Sequence, residues 1–351
     1  MKKKILFIMP SVGRKKNQPY VKSWKMKPLP IAMLSALTPE KHFEKYFADD
    51  RLEAIPYNID IDAVMITVET YTAKRTYQIA REFRKKKIPV ILGGFHVTLV
   101  PEEAKQHADA ILIGEAEGCW QELLDDLNAD NLKEQYKEES VFGVKPFLPD
   151  SNIYKGKKYL NLSMLETSRG CRYTCEFCSI TSFFEHRCYY RPIEDVINQI
   201  KSTKSNKWFF VDDNIGSDLD RFEQLLKALI PLKILWTGQI SIEVTRRPKL
   251  LELMKKSGCI GVLIGFESIT PGNVFQMGKK VNTVSDYEKA VRNMRKYGMC
   301  VYGTFVFGYD EDTVETFTET LRFAMDSKMF FAAFNHLVPF PGTPLYKRLE
   351  K

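Results

Sequence analysis

Nowhere does this chain approach the roughly 20 consecutive apolar residues that a membrane-spanning helix needs. No secretory leader is expected: Met1-Lys-Lys-Lys4 is basic, but the apolar run from Ile5 to Met9 is too short for a leader's hydrophobic segment. Seven cysteines, an odd number in 351 residues, do not sort into pairs, so a reducing cytoplasm is expected rather than a disulfide framework. There is no internal repeat, no low-complexity tract, and no compact basic stripe interleaved with aromatics. Nucleic acid is therefore not an expected partner despite a net charge of +8. The positive charge is scattered, as at Arg84 to Lys87, Lys255-Lys256 and Lys279-Lys280, and reads as solvated helix faces. A hydrophobic content of 44%, with 12% aromatic residues, supports a substantial core, and the length suits two domains of roughly 100–200 residues each.

What is present is concentrated in Cys171-Arg-Tyr-Thr-Cys175-Glu-Phe-Cys178, which follows an apolar run and the turn Ser168-Arg169-Gly170. Three thiolates spaced CxxxCxxC can hold three corners of an iron-sulfur cube and leave the fourth iron open for chemistry. Electron-carrier clusters normally close all four corners with cysteine, and structural zinc sites want four ligands, commonly two close pairs. Zinc with a fourth ligand from His186 or Cys188 stays open as an alternative. The other cysteines, Cys188, Cys259 and Cys300, lie in apolar surroundings and read as small buried hydrophobes.

The first ~130 residues alternate short apolar runs with helical patterns, the signature of a doubly wound parallel sheet. Strands are expected at Ile5 to Met9, Ala63 to Val68, Val90 to Leu92 and Ala110 to Ile113, with a helix over Thr72 to Lys87. In such sheets ligands bind outside the carboxyl ends of the strands, so the loops holding Ser11, Glu69-Thr70, Gly93-Gly94-Phe95-His96-Val97 and Gly114-Glu115 would floor a crevice. The polar segment 131–158, punctuated by Pro146, Pro149 and Gly156, reads as a linker with one hairpin at most. From Tyr159 onward strand and helix alternate six times. Strands are expected at Leu160 to Glu166, Trp208 to Val211, Ile234 to Gln239, Gly261 to Phe266, Val301 to Phe307 and Phe331 to Leu337. The helix Pro192 to Thr203 is expected to carry its proline in the first turn.

The cysteine spacing, with aromatic Phe177 before the last cysteine and an apolar strand ahead, resembles the radical S-adenosylmethionine (SAM) enzymes. That resemblance implies a 4Fe-4S cluster on Cys171, Cys175 and Cys178, SAM chelated to the open iron, and cleavage to a 5'-deoxyadenosyl radical. Six strand–helix units are then an open (β/α)6 partial TIM barrel over 159–351. Carboxyl ends of barrel strands carry the chemistry. The resemblance implies SAM contacts from Phe177, Asp212, Asp213, Asn214, Gln239, Ser241, Glu243, Glu267 and Gly308. It implies that the radical is generated at the cluster, and a further catalytic role would fall to Cys188 or His336.

The amino-terminal loops, together with Lys27-Pro-Leu-Pro-Ile-Ala32 and Pro101-Glu-Glu103, are similar to the Rossmann-like cobalamin-binding domain that precedes the barrel in one subfamily, here residues 1–130. Cobalamin contacts are then expected from Ser11, Glu69, Thr70, Gly93, Gly94, Phe95, His96, Val97, Gly114 and Glu115. The DxHxxG element that supplies a cobalt-ligating histidine is missing, since the loop after the first strand reads Pro10-Ser-Val-Gly-Arg-Lys16. For His96, a backbone-bonded loop histidine stands beside cobalt ligation. The class contains hopanoid methylases, anaerobic magnesium-protoporphyrin ester cyclase and natural-product C-methylases. It implies cobalamin-dependent methylation of an unactivated carbon in a small-molecule or lipid substrate, with flavodoxin or ferredoxin as reductant. Radical cyclisation without methyl transfer and a non-catalytic cobalamin or redox sensor are the rivals. A tRNA methylthiotransferase would need three amino-terminal cysteines, where Cys119 stands alone. Ending at Lys351 suggests a shortened form or a more open substrate site.

Overall fold

A computed structural model describes residues 2–13, 25–137 and 148–351, which fall into two compact units, Met1–Leu160 and Asn161–Lys351. In the first, strands β1 (Lys3–Met9), β2 (Phe43–Asp49), β3 (Ala63–Thr67), β4 (Val90–Gly93), β5 (Ala110–Ile113) and β6 (Gln135–Lys137) form one sheet in the order β2-β1-β3-β4-β5-β6. Every pairing is parallel. The inner strands are continuous apolar runs, Ile5 to Ile8 and Ala63 to Ile66, because helices cover both faces and leave no side for water. The helix Ala73–Lys85 shows the pattern: Thr76, Ile79, Ala80 and Phe83 are buried along one face, and Arg84 and Lys85 sit in the last turn, where the helix dipole favours cations.

Two of these strands differ from expectation. Phe43–Asp49, with charged Glu44 and Lys45 at its start, hides its apolar signal because it is an edge strand, buried at only three of seven positions. Gln135–Lys137 belongs to the segment expected as a linker, yet it pairs with β5 through Ile111 to Ile113 and buries Tyr136. The same stretch anchors itself further on: Asp150 accepts from Ser35 and Lys45, and the Tyr154 hydroxyl donates to the Pro28 carbonyl. Arg14 to Lys16 and Pro146 lie outside the described residues.

The second unit holds β7 (Ser163–Leu165), a two-residue ladder of β8 (Ser168–Arg169) with β9 (Tyr189–Tyr190), and then β10 (Lys207–Phe210), β11 (Leu235–Ile240), β12 (Cys259–Glu267), β13 (Cys300–Phe307) and β14 (Phe331–His336). Six of them form an all-parallel sheet ordered β14-β13-β12-β11-β10-β7, with helices between successive strands. β14 and β7 are its two edges, as an open six-unit barrel requires. Its core centres on Trp208, Phe210 and Trp236, the last two stacked at 5.0 Å between ring centroids. Such a pair contributes about 0.5–1.5 kcal/mol beyond its buried area. The first barrel strand is shorter than expected, because only Ser163–Leu165 pairs with β10. Pro192 precedes the helix Ile193–Ser202 rather than opening it, its ψ of 133° being extended. No helix among the described residues is long and apolar enough to cross a membrane.

Candidate active site

The cysteine loop leaves β8 and returns in β9, so a short antiparallel ladder closes residues 170–188 at their base. Gly170 makes this closure possible: its φ is +81°, and a Cβ there would lie 2.1 Å from the Arg187 carbonyl oxygen. Its N–H donates to Asp213 at 2.8 Å. Inside the loop the Cys178 N–H bonds the Cys175 carbonyl, and Cys178 caps the short helix Ser179–Phe183. From outside, the Glu176 N–H donates to the Met277 carbonyl, the Leu345 N–H donates to the Glu176 carbonyl, and Arg348 pairs with the Glu176 carboxylate at 3.0 Å.

Burial pushes the Cys175 thiol up to about 12, and it also raises Cys178; in both, the neighbouring thiols add to the shift. The three sulfurs are thus close enough to repel one another as thiolates, and they need a cationic centre to be deprotonated together. Among the described residues no three His, Cys, Asp or Glu side chains converge on a single ion. Three thiol donors on one loop suit an iron-sulfur cluster with one iron left open.

Asn214 ties this loop to the next strands. Its side-chain N–H donates to Cys171 Sγ at 3.8 Å while its oxygen accepts the Ser241 N–H at 3.1 Å. Glu243 accepts from the Tyr173 hydroxyl and from Arg172, and these bonds hold its carboxyl below the usual range although burial opposes them. Asp213 is pushed up to about 6 by burial, with Asp212 and Glu166 adding repulsion. Gln239 donates to the Asp212 carbonyl at 3.4 Å. Phe177 stands edge-on to Tyr309, centroids 6.5 Å apart.

Several residues expected to contact SAM also make bonds within the chain. Asp212, 1% exposed, accepts from the Thr167 N–H, the Thr167 hydroxyl and the Ser168 hydroxyl. It pins the entrance to the cysteine loop. The Gly308 N–H donates to Asp312 at 2.7 Å, closing a turn with φ +121°. His336 is exposed at the end of the edge strand. Cys188 is half-buried in a cleft of about 850 Å³, with Tyr190 and Ser217 beside it. Cys300, expected to be buried, is exposed, whereas Cys259 is buried as expected.

Lys279, expected on a solvated helix face, is where the structure differs most from expectation. It is buried in an ion pair with Glu267, their side chains 14% and 9% exposed. Burial works against its charge, but Glu267 and the adjacent Cys175 hold its pKa above the ordinary lysine value. Glu267 adopts φ +67°, a strained backbone for a non-glycine residue, next to a register shift between Gly265 and Glu267. Gly265 leaves room for the pair, since a Cβ there would fall 2.6 Å from Lys279 Nζ. The sequence signal was weak: one lysine of an adjacent pair, just after a glycine.

In the first unit, β1 and β3 are the neighbours at which strand order reverses, so their carboxyl-terminal loops border the crevice. Ser11 donates to Asp50, which a two-bond Arg75 pair also holds. His96, 4% exposed, has Thr70 Oγ1 at 3.3 Å from Nδ1 and Glu103 at 3.3 Å from Nε2. Both ring nitrogens are within reach of a side-chain oxygen, as a bonded loop histidine would be. A Cβ on Gly94 (φ +109°) would sit 2.9 Å from the Val68 backbone, so the β3 and β4 loops touch only because this residue is glycine. Gly93 and buried Val97 flank it, Phe95 opens the short helix Phe95–Leu99, the Gly114 N–H donates to Thr98, and Glu115 precedes the turn Ala116–Gly118.

The radical SAM superfamily profile matches residues 165–324, from β7 to the helix that follows β13. Two proteins of Chlorobaculum tepidum are similar along most of the chain. Bacteriochlorophyllide d C-12(1)-methyltransferase is 31% identical over 336 residues, covering 92% of this chain and 74% of that protein. Bacteriochlorophyllide d C-8(2)-methyltransferase is 32% identical over 335 residues, covering 90% and 74%. Among solved structures, the radical S-adenosylmethionine methyltransferase TsrM from Kitasatospora setae, with cobalamin and a 4Fe-4S cluster bound, shares the fold with a TM-score of 0.74 at 17% identity, over 98% of this chain and 77% of that one. The cysteine loop on the first barrel strand, its place in an open six-strand parallel barrel and the match to these methyltransferases lead to one assignment: the chain belongs to the radical SAM superfamily.

Proposed function

We propose that the protein is a cytoplasmic, cobalamin-dependent radical SAM methyltransferase acting on an unactivated carbon of a small molecule, with residues up to about 130 as the cobalamin-binding domain. The observation that carries it is the pairing, in one chain, of the CxxxCxxC loop on a six-strand barrel with a parallel sheet ordered β2-β1-β3-β4-β5-β6. The 31% and 32% identity to methyltransferases of a bacteriochlorophyllide supports methyl transfer and a small-molecule acceptor.

When bound, the cluster and cobalamin supply reductive cleavage of SAM and methyl carriage. The chain's part is to bind, orient and exclude water. Cys171, Cys175 and Cys178 would hold the cluster, with the Asn214 N–H directed at the Cys171 sulfur to tune it. Asp213, Ser241 and the Glu267–Lys279 pair supply the acid, hydroxyl and cation that SAM's ammonium, ribose and carboxylate call for. Asp212 and Glu243 keep the loop in place instead. An acidic one-electron carrier such as a flavodoxin or ferredoxin is the expected reductant.

The test is anaerobic reconstitution with iron and sulfide, followed by SAM, reductant and methylcobalamin. Deoxyadenosine formation with retained corrin supports the proposal. Deoxyadenosine without corrin removes cobalamin as methyl carrier, and neither product nor corrin, with a loaded cluster, removes the enzyme reading.

A further inference from the structure

Two segments of the second unit bring exposed cations against the cysteine loop. Arg246 and Arg247 come at the end of the turn Ile242–Arg246 that follows β11, and Glu243 in that turn accepts from Arg172 and Tyr173, the two residues after Cys171. Lys280 comes from the stretch between β12 and β13. There the Met277 carbonyl accepts the Glu176 N–H, and Gly278 (φ +70°) passes so close that a Cβ would lie 3.3 Å from the Thr174 carbonyl oxygen. The two segments also hold each other, since Arg246 donates to the Val281 carbonyl at 3.1 Å and pairs with Asp286 at 3.0 Å.

Together they border an open cleft of about 530 Å³ lined by Tyr173, Glu243, Arg246, Arg247, Lys280 and Val281. Its charge does not cancel. Glu243, the one carboxylate among these residues, is already paired with Arg172, and Asp286 answers Arg246. Arg247 and Lys280 are exposed and enter no ion pair among the described residues. Hydrated cations on a rim steer a large acidic partner, whereas a small anion is held by desolvated groups. A partner seated on this rim touches the loop one residue from Cys171, which suits a molecule that delivers electrons to a cluster on that loop.

We propose that this basic rim is the docking surface for the acidic one-electron carrier that reduces the cluster, with Arg247 and Lys280 pairing with carboxylates around the carrier's redox centre. One electron leaves the reduced carrier and is taken up by the cluster, and no bond is made or broken in the transfer. The inference rests on the radical SAM reading above and adds where the electron enters. Lys280 and its neighbour Lys279 then divide the work: one faces the carrier, and the other is buried against Glu267.

The experiment compares the full cluster-loaded chain with Arg247→Glu/Lys280→Glu, using flavodoxin as the probe. Binding of oxidised flavodoxin is measured by calorimetry, and deoxyadenosine formation is driven by reduced flavodoxin or, separately, by dithionite. The native affinity should fall steeply as salt rises from about 0.05 to 0.5 M, because screening then cuts the reach of the charges to below about 10 Å. At low salt the charge reversal should lose about 10-fold or more in affinity, the lower end of what electrostatic steering supplies. Dithionite needs no docking, so the cleavage it drives should be unchanged. Arg247→Lys/Lys280→Arg keeps both charges and should bind as the native chain does. Lys201→Glu/Lys204→Glu alters the net charge equally, but it lies at the end of the helix Ile193–Ser202 before β10, at the amino ends of the strands, and should also bind as the native chain does. Native affinity in the charge reversal, an equal loss in Lys201→Glu/Lys204→Glu, or no flavodoxin bound by the native chain would each overturn the inference, and dithionite-driven cleavage by the native chain would leave the radical SAM reading standing. Loss of dithionite-driven cleavage in the charge reversal would place these cations in the catalytic site and overturn it as well. No cleavage by the native chain with dithionite, despite a loaded cluster, removes the enzyme reading and this inference with it.

Discussion

Replacing Lys279 by methionine is expected to cost about 3–5 kcal/mol of stability, because the change leaves Glu267 as an unpaired carboxylate in a place water does not reach. The side chains are 9% and 14% exposed, so neither charge can be rehydrated without opening the loop that follows β12. Glu267→Gln alone strands the lysine in the same way and should be similarly costly. In Glu267→Gln/Lys279→Met both charges are gone, and the loss should shrink to about 1 kcal/mol or less, since breaking a buried pair costs far more than replacing it. Equilibrium urea denaturation of the cluster-free protein, compared across the four members of this cycle, measures the coupling directly. Single changes costing under about 1 kcal/mol, or a double change as costly as the two singles summed, would refute the claim that this pair is a buried, mutually dependent unit. The cycle also separates structure from chemistry. If the stable double variant still assembles the cluster but cleaves SAM poorly, the pair serves the cofactor as well as the fold.

Alanine at Cys171, Cys175 or Cys178 should abolish cluster absorbance and deoxyadenosine formation, whereas Cys300→Ala, at an exposed thiol, should leave both unchanged. Asn214→Ala removes the N–H directed at Cys171 and leaves the buried Ser241 N–H without its acceptor. A more negative cluster potential by redox titration and a stability loss of about 1–3 kcal/mol are expected. Gly170→Ala should prevent cluster loading, because the new Cβ meets backbone rather than a movable side chain. The corrin-free chain should lose about 3 kcal/mol between pH 4.5 and 8 relative to Glu69→Gln. The sign follows from a carboxyl raised from 4.5 to about 7: the folded state holds the proton longer than the unfolded one, so stability present below 4.5 is lost as pH rises toward 7. A flat difference between the two denaturation curves would contradict the burial of Glu69.

Strands buried on both faces, such as Ile5 to Ile8 and Ala63 to Ile66, announce themselves as unbroken apolar runs. The cysteine spacing is equally local, since the three cysteines proposed to hold the cluster sit within eight residues on one loop. Those features are written in neighbouring residues, which is why the parallel-sheet class, the six strand–helix units and the cluster loop could be read without coordinates. Edge strands were not legible. Phe43–Asp49 and Gln135–Lys137 face water on one side, and their apolar pattern thins accordingly.

What the sequence left open was the division of labour among polar residues of the same type. Asp212 and Asp213 are adjacent, yet one is spent on Thr167 and Ser168 while the other is raised toward neutrality beside Gly170. Lys279 and Lys280 are adjacent too, and only the first turns inward to Glu267. Such choices depend on partners 12 to 45 residues away, brought together by strand pairing and helix packing. The chain by itself determined the kind of fold and the kind of cofactor loop, because both are encoded in short-range pattern. Only the tertiary structure decided which acids, lysines and histidines are free to act, because a polar group is free or committed according to what the fold places within hydrogen-bond reach.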